Sequence, residues 1–221
     1  MRYNIIPVTP FHQNCSIIWC EVTHEAVLVD PGGESNKLRS EIDKLGVKVN
    51  KILLTHGHFD HVGSAMELRQ YYKIPIIGPN KADQSLLDDL SVQCRMLDVD
   101  LPNSSTTAVI PDVWLEDGDT VQVGREVFDV LHCPGHSPGH IVYWNKIRKF
   151  MVMGDVLFKK SIGRTDLPGG SSAVLINSIK TKLFPLGDDI LFLPGHGSSS
   201  TLGYERLNNI YVTHICHSKN L

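Results

Sequence analysis

Apolar and polar positions fall into short blocks whose period changes along the chain. Residues 3–8, 16–22 and 26–29 are rich in β-branched and aromatic residues and predict three strands, the last ending in the turn signal Asp30-Pro31-Gly32-Gly33. Leu38, Ile42 and Leu45 then recur at i, i+4 and i+7, which predicts an amphipathic helix over 35–45, with Gly46 as its stop. A strand over 52–55, a helix over 64–72 and a strand over 74–77 follow. Strands alternating with helices predict a layered α/β sheet at this end. The segment 80–112 is less regular, with a helix over 81–90 and a polar loop at 103–107. From 113 onward the blocks shorten to strands at 113–115, 120–123, 126–132, 141–144 and 149–153, as in a more antiparallel second sheet. A helix over 171–184, a strand over 190–193 and a short helix over 202–209 complete the pattern.

No Pro-, Gly- or Ser-rich linker divides the chain, so it reads as one domain over 1–207 with a tail over 208–221. Its 221 residues suffice for a sizeable core, and 42% hydrophobic with 20% charged residues is ordinary globular composition. A formal charge of −3 gives no electrostatic reason to expect nucleic acid. Five cysteines without a CxxC suit reduced thiols rather than a disulfide framework. The first residues lack an apolar signal-peptide core, and no run is long enough to span a membrane, so a cytoplasmic location is expected. Oligomeric state is left open.

Candidate chemistry centres on residues 52–63, ILLTHGHFDHVG. Here His56, His58, Asp60 and His61 stand within six positions at a strand-to-helix turn. His56 and His58, two apart, can point the same way from extended chain, while Asp60 and His61 reach a second point. Imidazole and carboxylate suit zinc, and also iron or manganese. Further donors follow other strands: His136 after 128–131, Asp155 after 150–153 and His196 after 190–193. Each stands directly after a glycine, which frees the backbone to approach an ion. Jointly they place seven donors at the ends of four strands.

The motif HxHxDH (His56-Gly57-His58-Phe59-Asp60-His61), followed in order by PGHSPGH, GD and PGHG, resembles the metallo-β-lactamase superfamily. Within it the chain is similar to the small single-domain bacterial members of the glyoxalase II branch. The resemblance implies a four-layer αββα sandwich of two mixed β-sheets, with two divalent metal ions at one edge, zinc first and iron or manganese as alternatives. It implies that His56, His58 and His136 bind one metal, that Asp60, His61 and His196 bind the other, and that Asp155 bridges them. Asp30 matches an aspartate that supports the site from behind. His132 and His140 match no ligand position and are expected to be supporting or structural, His140 behind the site. Cys133 is expected to be a buried small residue. His12, His24, His214 and His217 read as surface or tail residues, and Cys216 with His217 offers too few donors for a metal.

The implied reaction is hydrolysis of a thioester of the S-lactoylglutathione type by a dimetal-bound hydroxide, with Asp60 accepting the hydrogen bond that orients it. A thiolate leaves readily, so no strong general acid is required. Arg164 and Lys160, in the loop after the GD motif, are the candidate substrate contacts. The implied partner is a small-molecule thioester such as a glutathione conjugate. Asp166 stands where the larger glyoxalase II enzymes carry a tyrosine, and only 25 residues follow His196, too few for their helical domain. The alternative is a mononuclear iron persulfide dioxygenase, which shares the scaffold and the Gly163-Arg164-Thr165-Asp166 stretch. A non-catalytic metal-binding protein is the remote alternative, and the absent export signal speaks against a β-lactamase.

Overall fold

The computed structural model describes residues 1–99 and 108–213. Helices cover the outer faces of two mixed β-sheets packed face to face. The first sheet joins β1 (Arg2–Val8), β2 (Gln13–Trp19), β3 (Glu25–Val29), β4 (Lys48–Leu53) and β5 (Ile76–Ile77) in that order. Its first three strands run antiparallel, while β3, β4 and β5 are parallel. The helices interleaved with it are α1 (Ser35–Leu45), α2 (Phe59–Val62), α3 (Ala65–Tyr72), α4 (Gln84–Asp88) and α5 (Leu90–Met96). The second half supplies β6 (Thr120–Val123), β7 (Glu126–His132), β8 (Ile141–Asn145), β9 (Phe150–Gly154), the small hairpin β10 (Leu157–Phe158) and β11 (Ser161–Ile162), then β12 (Leu191–Pro194) and β13 (Ser200–Thr201). The second sheet runs β13-β12-β9-β8-β7-β6, with β9 and β12 its parallel pair. Helices α6 (Ser172–Ser178), α7 (Leu202–Asn208) and α8 (Ile210–Thr213) cover its outer face.

The period of two sorts side chains into three cores, which is why the strands read as nearly continuous apolar runs. From β3, Val27 and Val29 join Leu53 between the sheets, while Ala26 and Leu28 face α1 and α3. In the second sheet, Phe150 and Val152 of β9 point inward with Ile141 and Tyr143 of β8. Met151, Met153 and Val142 turn outward onto α6 and α7. A strand buried on both faces needs apolar residues at every position, and a layer of helices on each side follows. The four-layer αββα sandwich expected from the sequence is therefore the observed fold.

Boundaries differ in places for identifiable reasons. β4 begins at Lys48, not 52, because polar Lys48, Asn50 and Lys51 mask its start. Of residues 48–51 only Val49 points into the core, and Lys51 reaches out so that its Nζ donates to the Gln122 carbonyl at 2.7 Å. The segment 113–115 forms a single bridge, Val113 to Ile77, rather than a strand. The helix over 81–90 is a 3-10 turn at Lys81–Asp83, then α4 and α5, broken at Asp89, whose carboxylate accepts the Ser91 amide at 2.9 Å and caps α5. The helix over 171–184 continues past α6 as a wider π turn, Ile179–Leu183. α8 lies within the segment read as tail, with Val212 buried. The loop at 103–107 and residues 214–221, including His214, Cys216 and His217, lie outside the described residues.

Candidate metal centre

Strands that run parallel end at the same edge, so the loops after β3, β4, β9 and β12 meet, together with the β7–β8 connection. All seven sequence-expected donors stand in these loops or on the first turn of α2. His56 Nε2, His58 Nδ1 and His136 Nε2 form a triangle with edges of 2.8, 3.1 and 3.2 Å. Asp60, His61 and His196 form a second cluster, with His61 Nε2 3.4 Å from His196 Nε2 and Asp60 Oδ2 3.2 Å from the same atom. Asp155 lies between them. Its Oδ2 is 3.5 Å from both His136 Nε2 and His196 Nε2, and its Oδ1 is 3.4 Å from His61 Nε2.

Hydrogen-bond partners behind the rings fix which nitrogen faces the centre. His136 Nδ1 donates to the Arg164 carbonyl at 2.8 Å, so His136 presents a bare Nε2, while His196 Nδ1 donates to the Phe11 carbonyl at 3.1 Å and turns its Nε2 towards Asp60. Asp30 governs two more. Its Oδ2 accepts His61 Nδ1–H at 2.9 Å and the Thr55 hydroxyl at 2.6 Å, and its Oδ1 accepts the Thr55 amide at 2.8 Å. The Thr55 proton being spent on Asp30, Thr55 Oγ1 accepts from His56 Nδ1 at 3.0 Å, which leaves His56 Nε2 with its lone pair. With both oxygens engaged by three donors, Asp30 supports the donors rather than joining them.

The donor set fits divalent metal ions. Three ring nitrogens this close, at least two of them bare, cannot satisfy one another by hydrogen bonding. A tetrahedral cation about 2.0–2.1 Å from each would instead place them about 3.3 Å apart. Asp155 Oδ1 is buried and has no hydrogen-bond partner, an orphan that a cation would satisfy. Electrostatics divide the two clusters. Burial, reinforced by the neighbouring imidazoles, holds His56 well below the usual histidine range, and burial with His136 takes His58 down to about 3. Burial also opposes charge on His61, yet Asp155 and Asp60 raise it well above that range. His196 is raised despite burial by its hydrogen bond to Asp60. Burial raises the Asp60 and Asp155 carboxyls, but His61 above all outweighs it and both are lowered. His56 and His58 are thus held neutral, whereas His61 and His196 pair with Asp60 and Asp155.

His140 Nε2 accepts the Asp155 amide at 2.9 Å, and its ring stacks on His56 at 4.7 Å. His132 lies further back, its Nε2 donating to the Pro138 carbonyl at 2.9 Å. Burial pushes the Cys133 thiol up to about 12, so it is an inert filler. Arg164 lines the cleft in front of the metal centre, whereas Lys160 does not. Lys160 is exposed and its amide donates to Glu205 Oε2 at 2.7 Å. The glycines before the ligands have two purposes rather than the single one expected. Gly154 takes a left-handed φ of 54°, whereas Gly195 has an ordinary backbone and is needed for room, since a Cβ there would collide with Asp155 Oδ1.

Three supports were not visible in the sequence. Asp83 accepts from the Gly57 amide at 2.9 Å, the Ser137 hydroxyl at 2.7 Å and the Gly139 amide, tying the loop of His56 and His58 to that of His136. Gln93 closes on the same loop, its Oε1 accepting the Phe59 amide and its Nε2 donating to the Gly57 carbonyl. Asn14 donates through Nδ2 to the carbonyls of Pro194 and Gly197, on either side of His196. A lone Asp, Gln or Asn outside a motif carries no sequence signal for such a role. The clusters face a cleft of about 320 Å³, walled by Phe11, Phe59, Phe158, Ile162, Arg164 and Leu167.

The chain belongs to the metallo-β-lactamase superfamily, whose sequence profile matches residues 8–196. Among its relatives, the hydroxyacylglutathione hydrolase GloC of Haemophilus influenzae is 44% identical over 213 residues, covering 96% of this chain and 98% of that enzyme. The solved structure of the BLEG-1 B3 metallo-beta-lactamase superposes with a TM-score of 0.87 at 33% identity, covering 96% of this chain and 100% of that one. The structure of TTHA1623 in a di-iron-bound form superposes with a TM-score of 0.84, also at 33% identity, over 94% of this chain and 99% of that one.

Proposed function

We propose that the protein is a binuclear metal-dependent hydrolase that cleaves a thioester of the S-lactoylglutathione type, with zinc as the expected metal. The observation that carries this reading is the Asp155 carboxylate set between two complete three-residue clusters. The likeness to GloC over nearly the full length of both chains supports the substrate class. His56, His58 and His136 would hold one ion, Asp60, His61 and His196 the other, and Asp155 both. A bound ion pair supplies Lewis acidity and lowers the pKa of a coordinated water towards neutrality.

The residues of the chain do the rest. Asp60, ionised and at the cleft wall, accepts a hydrogen bond from the attacking water and so aims it. Phe11, Phe59 and Phe158 exclude bulk water from the bond being broken. The water oxygen bonds to the carbonyl carbon, the carbon–sulfur bond breaks, and the departing sulfur takes up the released proton. No lysine or tyrosine lines the cleft among the described residues, which suits a leaving thiol with a pKa of about 8.5 that departs without an acid. Arg164 is the one lysine or arginine lining the cleft among the described residues, and a substrate carboxylate would bind it by displacing or sharing its pairing with Asp166, at 2.8 Å through each of two nitrogens. The test is a screen of purified, metal-loaded protein against thioesters, a β-lactam and a persulfide. Thioester cleavage with two metals per chain is expected. Oxygen uptake with a persulfide and one iron would instead establish the dioxygenase alternative, which leaves the second cluster without a task.

A further inference from the structure

A second hollow, of about 220 Å³, opens off the metal cleft between α4–α5 and the turn at Leu167 and Pro168. The two spaces share His58, Gln93, Leu97 and Leu167, so the groove begins at a residue of the first cluster. Its apolar walls are Leu86, Val92, Met96, Leu97, Leu167 and Pro168. Val92 and Met96, four apart on one face of α5, leave large apolar side chains open to solvent beside the cleft. Water there is displaced favourably by an apolar ligand.

The buried polar side chain of the groove is already engaged, while the Ser85 hydroxyl and the Asp89 carboxylate stand at its exposed rim. The Gln93 amide spends its oxygen on the Phe59 N–H and its nitrogen on the Gly57 and Leu86 carbonyls. Asp89 Oδ1 accepts both the amide and the hydroxyl of Ser91. No lysine or arginine lines the groove among the described residues, whereas Arg164 lines the cleft but not the groove. A charged or amide-rich group laid against Leu86, Leu97 and Leu167 would lose part of its water and gain no partner from those side chains. An unbranched hydrocarbon chain loses nothing there.

Building on the thioester reading, we propose that this groove is the acyl subsite, and that the enzyme favours thioesters with an unbranched apolar acyl chain over those with a short hydroxyacyl group. The scissile carbonyl then lies near His58 and His136, the chain runs along α5, and a carboxylate-bearing thiol extends towards Arg164.

Two measurements on the metal-loaded full chain test this. The first is kcat/KM for acetyl, butanoyl and hexanoyl thioesters of glutathione. The second is calorimetric affinity for the uncleavable methyl, butyl and hexyl thioethers of glutathione, which reads the groove without any reaction. Both should rise roughly two- to fourfold per added methylene. The rise should flatten in Val92→Asp, and in the more exposed Met96→Asp, which gives the same reading if the first variant does not fold. A flat or falling series in the wild type, or a slope unchanged in the variants, overturns the acyl subsite. Hydrolysis of the acetyl thioester with a flat length series would remove the subsite and leave the reaction. Tightening thioethers with no thioester cleaved would remove the reaction and leave the groove.

Discussion

Replacing Asp30 by Asn tests the support of the metal centre with almost no change of shape. Asp30 has a φ of 49°, and Asn tolerates that left-handed conformation, so no new strain enters. What changes is acceptor capacity. The carboxylate takes three protons, from the Thr55 amide, the Thr55 hydroxyl and His61 Nδ1. An amide oxygen at Oδ1 keeps the first and turns an NH₂ against the other two; the reverse flip turns it against the Thr55 amide. Either way a buried donor loses its acceptor, which costs about 1–3 kcal/mol. The functional consequence is larger. With an amide NH₂ turned towards it, His61 Nδ1–H loses the acceptor that holds the ring with Nε2 aimed at His196 and Asp155. His56, whose tautomer is held through Thr55, loses its anchor as well. Loss of such a partner weakens metal binding by about 10–100-fold, so both binding steps should weaken in Asp30→Asn. Thr55→Val, which cuts only the His56 arm, should weaken one. The assay is competition between the metal-free protein and a chromophoric chelator. Two unchanged affinities in Asp30→Asn would refute the assignment of tautomers.

Other perturbations have separate outcomes. Asp83→Ala releases three donors on two ligand loops and should destabilise the protein by about 2–4 kcal/mol, read as a lower denaturant midpoint at unchanged slope; a wild-type midpoint would contradict the tie between the loops. Replacing His58 or Asp155 by Ala should abolish thioester hydrolysis while circular dichroism stays native, and retained turnover in either would count against the scheme. The Arg148 fork, with burial opposing it and the N-terminus and Asn145 assisting, takes buried Glu126 down to about 2 from an ordinary value of 4.5. Because the folded value is the lower one, the pair stabilises fully above about pH 4.5, and the contribution is lost as pH falls through about 2. With Arg148 half-exposed and screened, Glu126→Gln should remove on the order of 1–2 kcal/mol of this dependence. Identical acid-unfolding slopes in wild type and variant would show that the pair contributes nothing.

The seven candidate donors are legible because they are local in sequence or directly follow apolar strand runs, and imidazole-rich turns have few other uses. The layers are legible because alternation on β3, β8 and β9 continues on both faces, which a two-layer fold would not require. The supports are another matter. Asp83 reaches Gly139, Gln93 reaches Gly57 and Asn14 reaches Pro194, all far along the chain, and in each case the partner is a backbone group with no identity in the sequence. The helical segment of Asp83 and Gln93 also lacks a sustained period, being broken at Asp89. Lys160 is the opposite case. Its charge and its place after the GD motif suggest a substrate contact, yet its backbone turns at φ 62° and it lies outside the cleft wall.

Titration of metal-free protein with zinc, following hydrolysis of S-lactoylglutathione and bound metal together, tests the paired-ion site most directly. Activity should climb to a plateau at two equivalents per chain and vanish on chelation. Hydrolysis that persists without metal, or a protein that binds two ions and cleaves no thioester, would contradict it.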